Sequence, residues 1–183
     1  MAESFRRGFK AECEQVAVES RAELGLGVAV PLRAVSLAEH LGIPVLAMTE
    51  LGRFGASDQD IRRAQNAVSA FTVIRGTYKT IFFNPAHPLS RLANSLAHEL
   101  SHILLEHTPE VAILDGHRNW NPYQESEADW LAATLLVPRE GARRWLQNGG
   151  VMTSGASHFQ VSDALFRWRV NQTGVARQLR LTG

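Results

Sequence analysis

The feature that most constrains this chain is His98-Glu99-Leu100-Ser101-His102, two histidines four residues apart with a glutamate after the first. Around it, residues 89–106 carry Leu92, Leu96, Leu100, Ile103 and Leu104 at helical spacing. That is the apolar stripe by which a helix buries one face. On a helix, positions i and i+4 stand about 40° apart around the axis, one turn along it. His98 and His102 therefore present two imidazoles to one point, as ligation of zinc at about 2.0–2.1 Å by a single helix requires. Glu99 sits beside the first imidazole, where it can accept a proton from water held at the metal. Cys13 is the lone cysteine and lies far from the motif in sequence. A closed four-ligand structural site is therefore not expected; three protein ligands and an open position are.

The third ligand has three candidates in "YQESEADWLAATLLVP" (123–138). This segment opens a second helix, expected over residues 122–137, with Pro122 suited to its first turn and Pro138 ending it. Glu125, Glu127 and Asp129 compete. Glu125 shares a face with Ala128, Asp129 and Ala132, small enough to let this helix approach the first. Glu127 shares a bulkier face with Trp130, Leu131 and Thr134. Glu125 is the expected ligand, and Asp129, one turn on, is placed to orient a ligand histidine. The acids left over read as solvated first-turn carboxylates favoured by the helix dipole. His107 lies five residues past His102, about 140° around the axis, and is set aside as a ligand.

The rest of the chain reads as mixed. Helices are expected over residues 4–26 and 31–43, a short strand over 43–48, a loop over 51–60, and a turn of helix after Ser57 or Asp58. Two β-rich runs, 70–76 and 78–84, flank Gly76-Thr77 as a hairpin. Residues 107–121 read as loop. Beyond 138 the chain is helical, with interruptions at 148–150 and 171–174.

With 183 residues, 45% of them hydrophobic and 20% charged, an ordinary globular core is available. No run of 18 apolar residues occurs and the N-terminus is charged from its start, so neither a membrane span nor a signal peptide is expected. The single cysteine, Cys13, suits a reducing compartment and reads as a surface or packing residue. A cytoplasmic location is the expectation. Net charge is uneven. Residues 139–183 hold seven arginines against Glu140 and Asp163, a balance of +5, and the rest of the chain carries −4. A basic tail can touch nucleic acid, although a solvated face is the simpler reading.

Two segments carry a family resemblance. "LAHELSHILLEH" (96–107) resembles the active-site helix of the ImmA/IrrE metallo-endopeptidases, which are of the gluzincin type. "ESEADWLAATLLVP" (125–138) is similar to that family's E-x-x-A-x-x-(F)-A-x-x-L-L-x-P segment, with Glu125 on its acid and Leu131 where an aromatic is common. "VPLRAVSLAEHLGIPVLAM", "FTVIRG…KTIFFNP" and "FQVSDALFRWRVNQTGV" also look similar, so the resemblance spans most of the chain.

The resemblance implies a mainly helical α+β fold. A small antiparallel sheet would pack on the motif helix. Residues 1–138 would form the peptidase domain with its N-terminal helix. Residues 139–183 would form a helix-turn-helix-like subdomain packed on it. It implies a zinc endopeptidase with His98, His102 and Glu125 as ligands, Glu99 as general base and a protein substrate. Several family members cleave a helix-turn-helix repressor and so relieve repression of stress or mobile-element genes. A substrate could add as an extra strand at 71–75 or 79–83. His107, His117, Tyr123 and His158 are candidates for stabilising the oxyanion, with nothing to select among them. Two other readings stand beside this one. The segment "HFQVSDALFRWRV" (158–170) could make a DNA-binding regulator, with Arg167 and Arg169 on the nucleic acid, although Phe166 and Trp168 suggest packing. Alternatively the site could bind zinc as a sensor without cleaving anything.

Overall fold

The computed structural model describes residues 5–107 and 121–179. Its centre is the helix made by the second motif segment. Asn121 accepts hydrogen bonds from the Tyr123 and Gln124 amides at 3.1 and 3.4 Å and caps a helix over Pro122–Leu136. From Trp130 to Leu136 every residue of it is buried, the pattern of a helix packed on all sides. In chain order, α1 is Phe9–Glu23, α2 Ala34–His40, β1 Val45–Ala47, α3 Asp58–Ala67, β2 Ala70–Arg75 and β3 Tyr78–Phe83. Next come the motif helix α4 (Leu89–Leu104) and the central helix α5 (Pro122–Leu136). Then follow α6 (Arg139–Gln147), α7 (Met152–Phe159), α8 (Asp163–Gln172) and α9 (Val175–Gln178). Helix α5 packs on α4 and α1, and α4 also covers β2 and β3. The fold is mainly helical α+β.

The sheet is mixed, not antiparallel. Its order is β1-β3-β2, with β1 parallel to β3 and β2 antiparallel to it. The cause is the connection through α3, which carries the chain past the sheet so that β2 forms on the far edge. The tight turn at Gly76, with φ +61°, then returns β3 into the gap. As the central strand, β3 buries Ile81 and Phe82. Residues 81–83 are thus paired on both sides, and among the described residues β2, not β3, is the edge strand of the two segments where strand addition was expected. Residues 48–54, partly read as loop, form a 3-10 helix, entered where the Ala47 amide donates to Glu50 Oε1 at 3.2 Å.

One apolar cluster joins residues on both sides of Pro138, among them Phe9, Leu131, Leu136, Phe159, Phe166 and Val170. Helices α7 and α8 cross so closely that a Cβ on Gly155 would lie 2.1 Å from the Phe166 ring. Phe166 is buried, and Trp168 meets Trp130 edge-on with ring centroids 5.2 Å apart. Arg169 is fully buried: its Nε donates to Val137 O at 3.0 Å and its Nη2 to Glu14 Oε1 at 2.6 Å. Arg167 pairs with Asp163 at 2.6 Å. The α8 face that a DNA reader would present thus loses Arg169 to the core. Cys13 is buried, and burial pushes its thiol up to about 12, so it packs and does not react.

Arg169 keeps its charge away from water only beside Glu14. Replacing Glu14 by Gln is expected to cost about 2–3 kcal/mol in urea unfolding, because the buried guanidinium loses its counter-charge. The same change at Glu12, paired with Arg6 at the surface, should leave the midpoint unmoved within error. Equal effects at the two sites would refute the dependence on Glu14.

Candidate metal centre

Helices α4 and α5 bring the motif residues together across their seam. On α4, Ala97 and Ser101 flank the two histidines and are fully buried; on α5, Ala128 and Ala132 flank the acids and are buried as well. Small side chains at these places allow the close approach that ligation from two helices requires. His98 Nε2 and His102 Nε2 lie 3.0 Å apart. Glu125 Oε2 is 3.3 Å from His98 Nε2, and Glu125 Oε1 is 3.6 Å from His102 Nε2. These three residues offer ligand atoms that all fall within 4.8 Å of one another.

The donor set fits a tetrahedral ion. Ligands about 2.0–2.1 Å from a common centre in tetrahedral array stand about 3.3 Å from one another. The 3.0, 3.3 and 3.6 Å separations bracket that value. Two imidazoles and one carboxylate are the donors of a three-ligand site with an open position. The structure therefore has a group able to bind a metal ion in His98, His102 and Glu125, the three residues expected as ligands.

The neighbours of the ligands supply orientation. Asp129 Oδ1 accepts a hydrogen bond from His98 Nδ1 at 2.8 Å, which turns Nε2 towards the centre. Burial pushes His98 down, but the hydrogen bond and charge of Asp129, with the charges of Glu99 and Glu125, outweigh it, so the imidazole titrates above its usual value. A metal ion at the site competes with that proton. On the other side, the Thr72 hydroxyl of β2 donates to Glu99 Oε2 at 2.7 Å, tying the edge strand to the expected general base. A cleft of about 330 Å³ opens here, lined by His98, Glu99, Glu125 and Asp129 and, beyond them, by residues 65–70 and Arg91.

Two residues differ from the sequence reading. Glu127 is not solvated: it is 7% exposed, and its Oε2 lies 3.3 Å from His107 Nε2. His107 is not turned away: its Nδ1 lies 3.0 Å from His102 Nδ1. The helical angle between positions 102 and 107 does not apply, because α4 ends at Leu104 and Glu106 adopts a left-handed conformation, φ +52°. Thr72 carries no signal in the sequence, since a strand threonine is ordinary. Of the oxyanion candidates, the Tyr123 hydroxyl accepts from the Arg6 amide at 3.3 Å. His158 bonds Ala29 O at 2.7 Å and stacks on Trp145. Neither lines the cleft. His117 lies outside the described residues.

Comparison with known proteins gives the family. The IrrE N-terminal-like domain, Peptidase_M78, matches residues 38–171. The chain belongs to this family. The matched span runs from α2 to α8 and contains the whole constellation. No curated protein matches the chain. Among solved structures, a Mycobacterium tuberculosis transcriptional regulator is similar at 12% identity and a TM-score of 0.49, over 91% of this chain and 48% of that one. The chain spans about half the length of that regulator. Among the described residues, no helix of this family member is long and apolar enough to cross a membrane.

The geometry predicts a graded response to zinc added to the purified chain. Glu125→Ala should abolish stoichiometric binding in calorimetry, because it removes a ligand. Asp129→Ala should retain one site but weaken it about 10- to 100-fold, because it removes only an orienting group. The reverse order would show that Asp129, not Glu125, is the ligand.

Proposed function

We propose that the protein is a zinc-dependent endopeptidase acting in the cytoplasm on a specific protein, of the helix-turn-helix repressor class. The observation that carries the hydrolytic reading is the convergence of His98, His102 and Glu125 with Glu99 at the same cleft. The substrate class rests on the family, several members of which cleave such repressors. His98, His102 and Glu125 would hold the zinc, which when bound would supply Lewis acidity, acidifying water and polarising a carbonyl.

The chain's own residues do the rest. Glu99 takes the proton of the attacking water on its carboxylate and delivers it to the leaving amine. Thr72 holds that carboxylate through Oε2, so its orientation is set before substrate arrives. Asp129 fixes the ring of His98. The edge strand β2 borders the cleft through Ala70, and its outer edge, which pairs with no strand among the described residues, suits an extended peptide added as a further strand. That arrangement would lay a scissile bond beside Glu99, since Thr72 of the same strand contacts it.

The experiment pairs metal content with cleavage of candidate helix-turn-helix repressors, read by mass spectrometry. Glu99→Gln should keep one zinc per chain and lose about 100-fold or more of the cleavage rate. Thr72→Val, which keeps shape and removes the donor, should keep its zinc and lose about tenfold. Chelation should abolish cleavage and zinc should restore it. Wild-type rates from Glu99→Gln would sink the mechanism.

A further inference from the structure

We propose that His107 and Glu127 are positioning residues, forming a buried hydrogen-bonded relay, Glu127–His107–His102, that fixes the tautomer and orientation of the second ligand histidine. The inference rests on the metal-centre reading above and adds two residues to it. His102 directs Nε2 to His98 and Glu125, and its other nitrogen, Nδ1, meets His107 Nδ1 at 3.0 Å. The far nitrogen of His107, Nε2, meets Glu127 Oε2 at 3.3 Å.

The proton order along this chain is determined from both ends. A metal on His102 Nε2 places the ring proton on Nδ1. That N–H donates to His107 Nδ1, which must then be the accepting nitrogen of a neutral ring. His107 carries its own proton on Nε2 and donates it to Glu127. A carboxylate only accepts, so it selects this arrangement and opposes the reverse one. The side chains of His107 and Glu127 are 8% and 10% exposed. Water therefore competes little for either, and a carboxylate so placed needs the donor that His107 provides.

The backbone is shaped to deliver His107. After α4 ends, the Glu106 amide donates to Ile103 O at 3.2 Å and the His107 amide to His102 O at 3.0 Å. This is the paired-bond helix stop that a left-handed residue closes. The residue here is Glu106, φ +52°, where glycine would be usual. The turn binds His107 to His102 twice, backbone to backbone and ring to ring. The two ligand histidines are thus supported differently. The orienting acid of His98 is Asp129, whose side chain is 72% exposed; that of His102 is reached through a buried ring.

The test uses the full chain and zinc ion, with affinity measured by competition against a chromophoric chelator. His107→Ala should weaken zinc binding about 10- to 100-fold. His107→Gln, whose amide can accept from His102 and donate to Glu127, should recover most of that loss, and Glu127→Gln should fall between. Nitrogen-15 spectra of the zinc-loaded wild type should show protons on His102 Nδ1 and His107 Nε2, a reading that depends on no variant folding. A proton on His107 Nδ1 overturns the relay, as does undiminished zinc affinity in His107→Ala, even with a lowered melting temperature. In either case the metal centre stands. A wild type that takes up no zinc overturns the metal centre and the relay with it.

Discussion

The seam between α4 and α5 is the constraint on which the rest depends. Two ligands come from one helix and one from the other, and zinc–ligand bonds tolerate little error in length. The helices must therefore approach closely and hold their register. Ala97 and Ser101 on one side and Ala128 and Ala132 on the other leave the room. Register follows from burial: Leu96 and Leu100 lie in the core, and on α5 Leu131, Leu135 and Leu136 are almost wholly buried. A slip of one residue on α4 would turn Leu96 and Leu100 out of the core, at about 1.5–3 kcal/mol for each large side chain exposed, and a slip on α5 would carry Glu125 away from the two histidines.

The far end of the seam is held by charge in an unusual place. Helix α5 ends with carbonyls that have no intrahelical partner. Arg21 of α1 donates to Leu136 O at 3.2 Å, and Arg169 of α8 to Val137 O at 3.0 Å. Both guanidiniums are fully buried. Burial lowers Arg21 to about 10, which leaves it charged at neutral pH. Cations at a helix C-terminus oppose its negative dipole end. The two arginines thus clamp α1 and α8 onto the end of α5 opposite the metal residues, and this explains why part of the basic tail is structural. Charge count alone allows an arginine-rich segment to be an interaction surface, yet Arg169, one of the two arginines expected on the nucleic acid in that reading, is inside.

How much of this was legible in the chain depends on the range of each cause. The motif helix, the hairpin and the α5 N-terminus depend on local periodicity and turn residues, and they lie where the pattern puts them. His98, His102 and Glu125 were legible because helical spacing and small flanking residues translate directly into geometry. The parallel pairing of β1 was not, because strand order is a property of the whole connection from Met48 to Ser69. Glu127 was misread because three neighbouring acids look alike until the partner of each is known. Glu127 is the one that is buried with His107 as its partner. Thr72 stands 27 residues from Glu99, and nothing local marks that contact.

His107 shows where helical-wheel reasoning stops. Angles around an axis hold only while the helix lasts, and α4 stops at Leu104. A left-handed residue reverses the chain within one step, so a side chain can return to the helix it has left. Glu106 does this at a cost, since a residue with a Cβ is strained at φ +52°. Such strain persists only where other contacts outweigh it, and here those contacts are the backbone bond to His102 and the ring of His107 against it. The same residues that end the helix thus brace its last ligand. The stop signal and the metal site are therefore one structural unit, and a substitution at Glu106 would be felt at His102 before it was felt in the core.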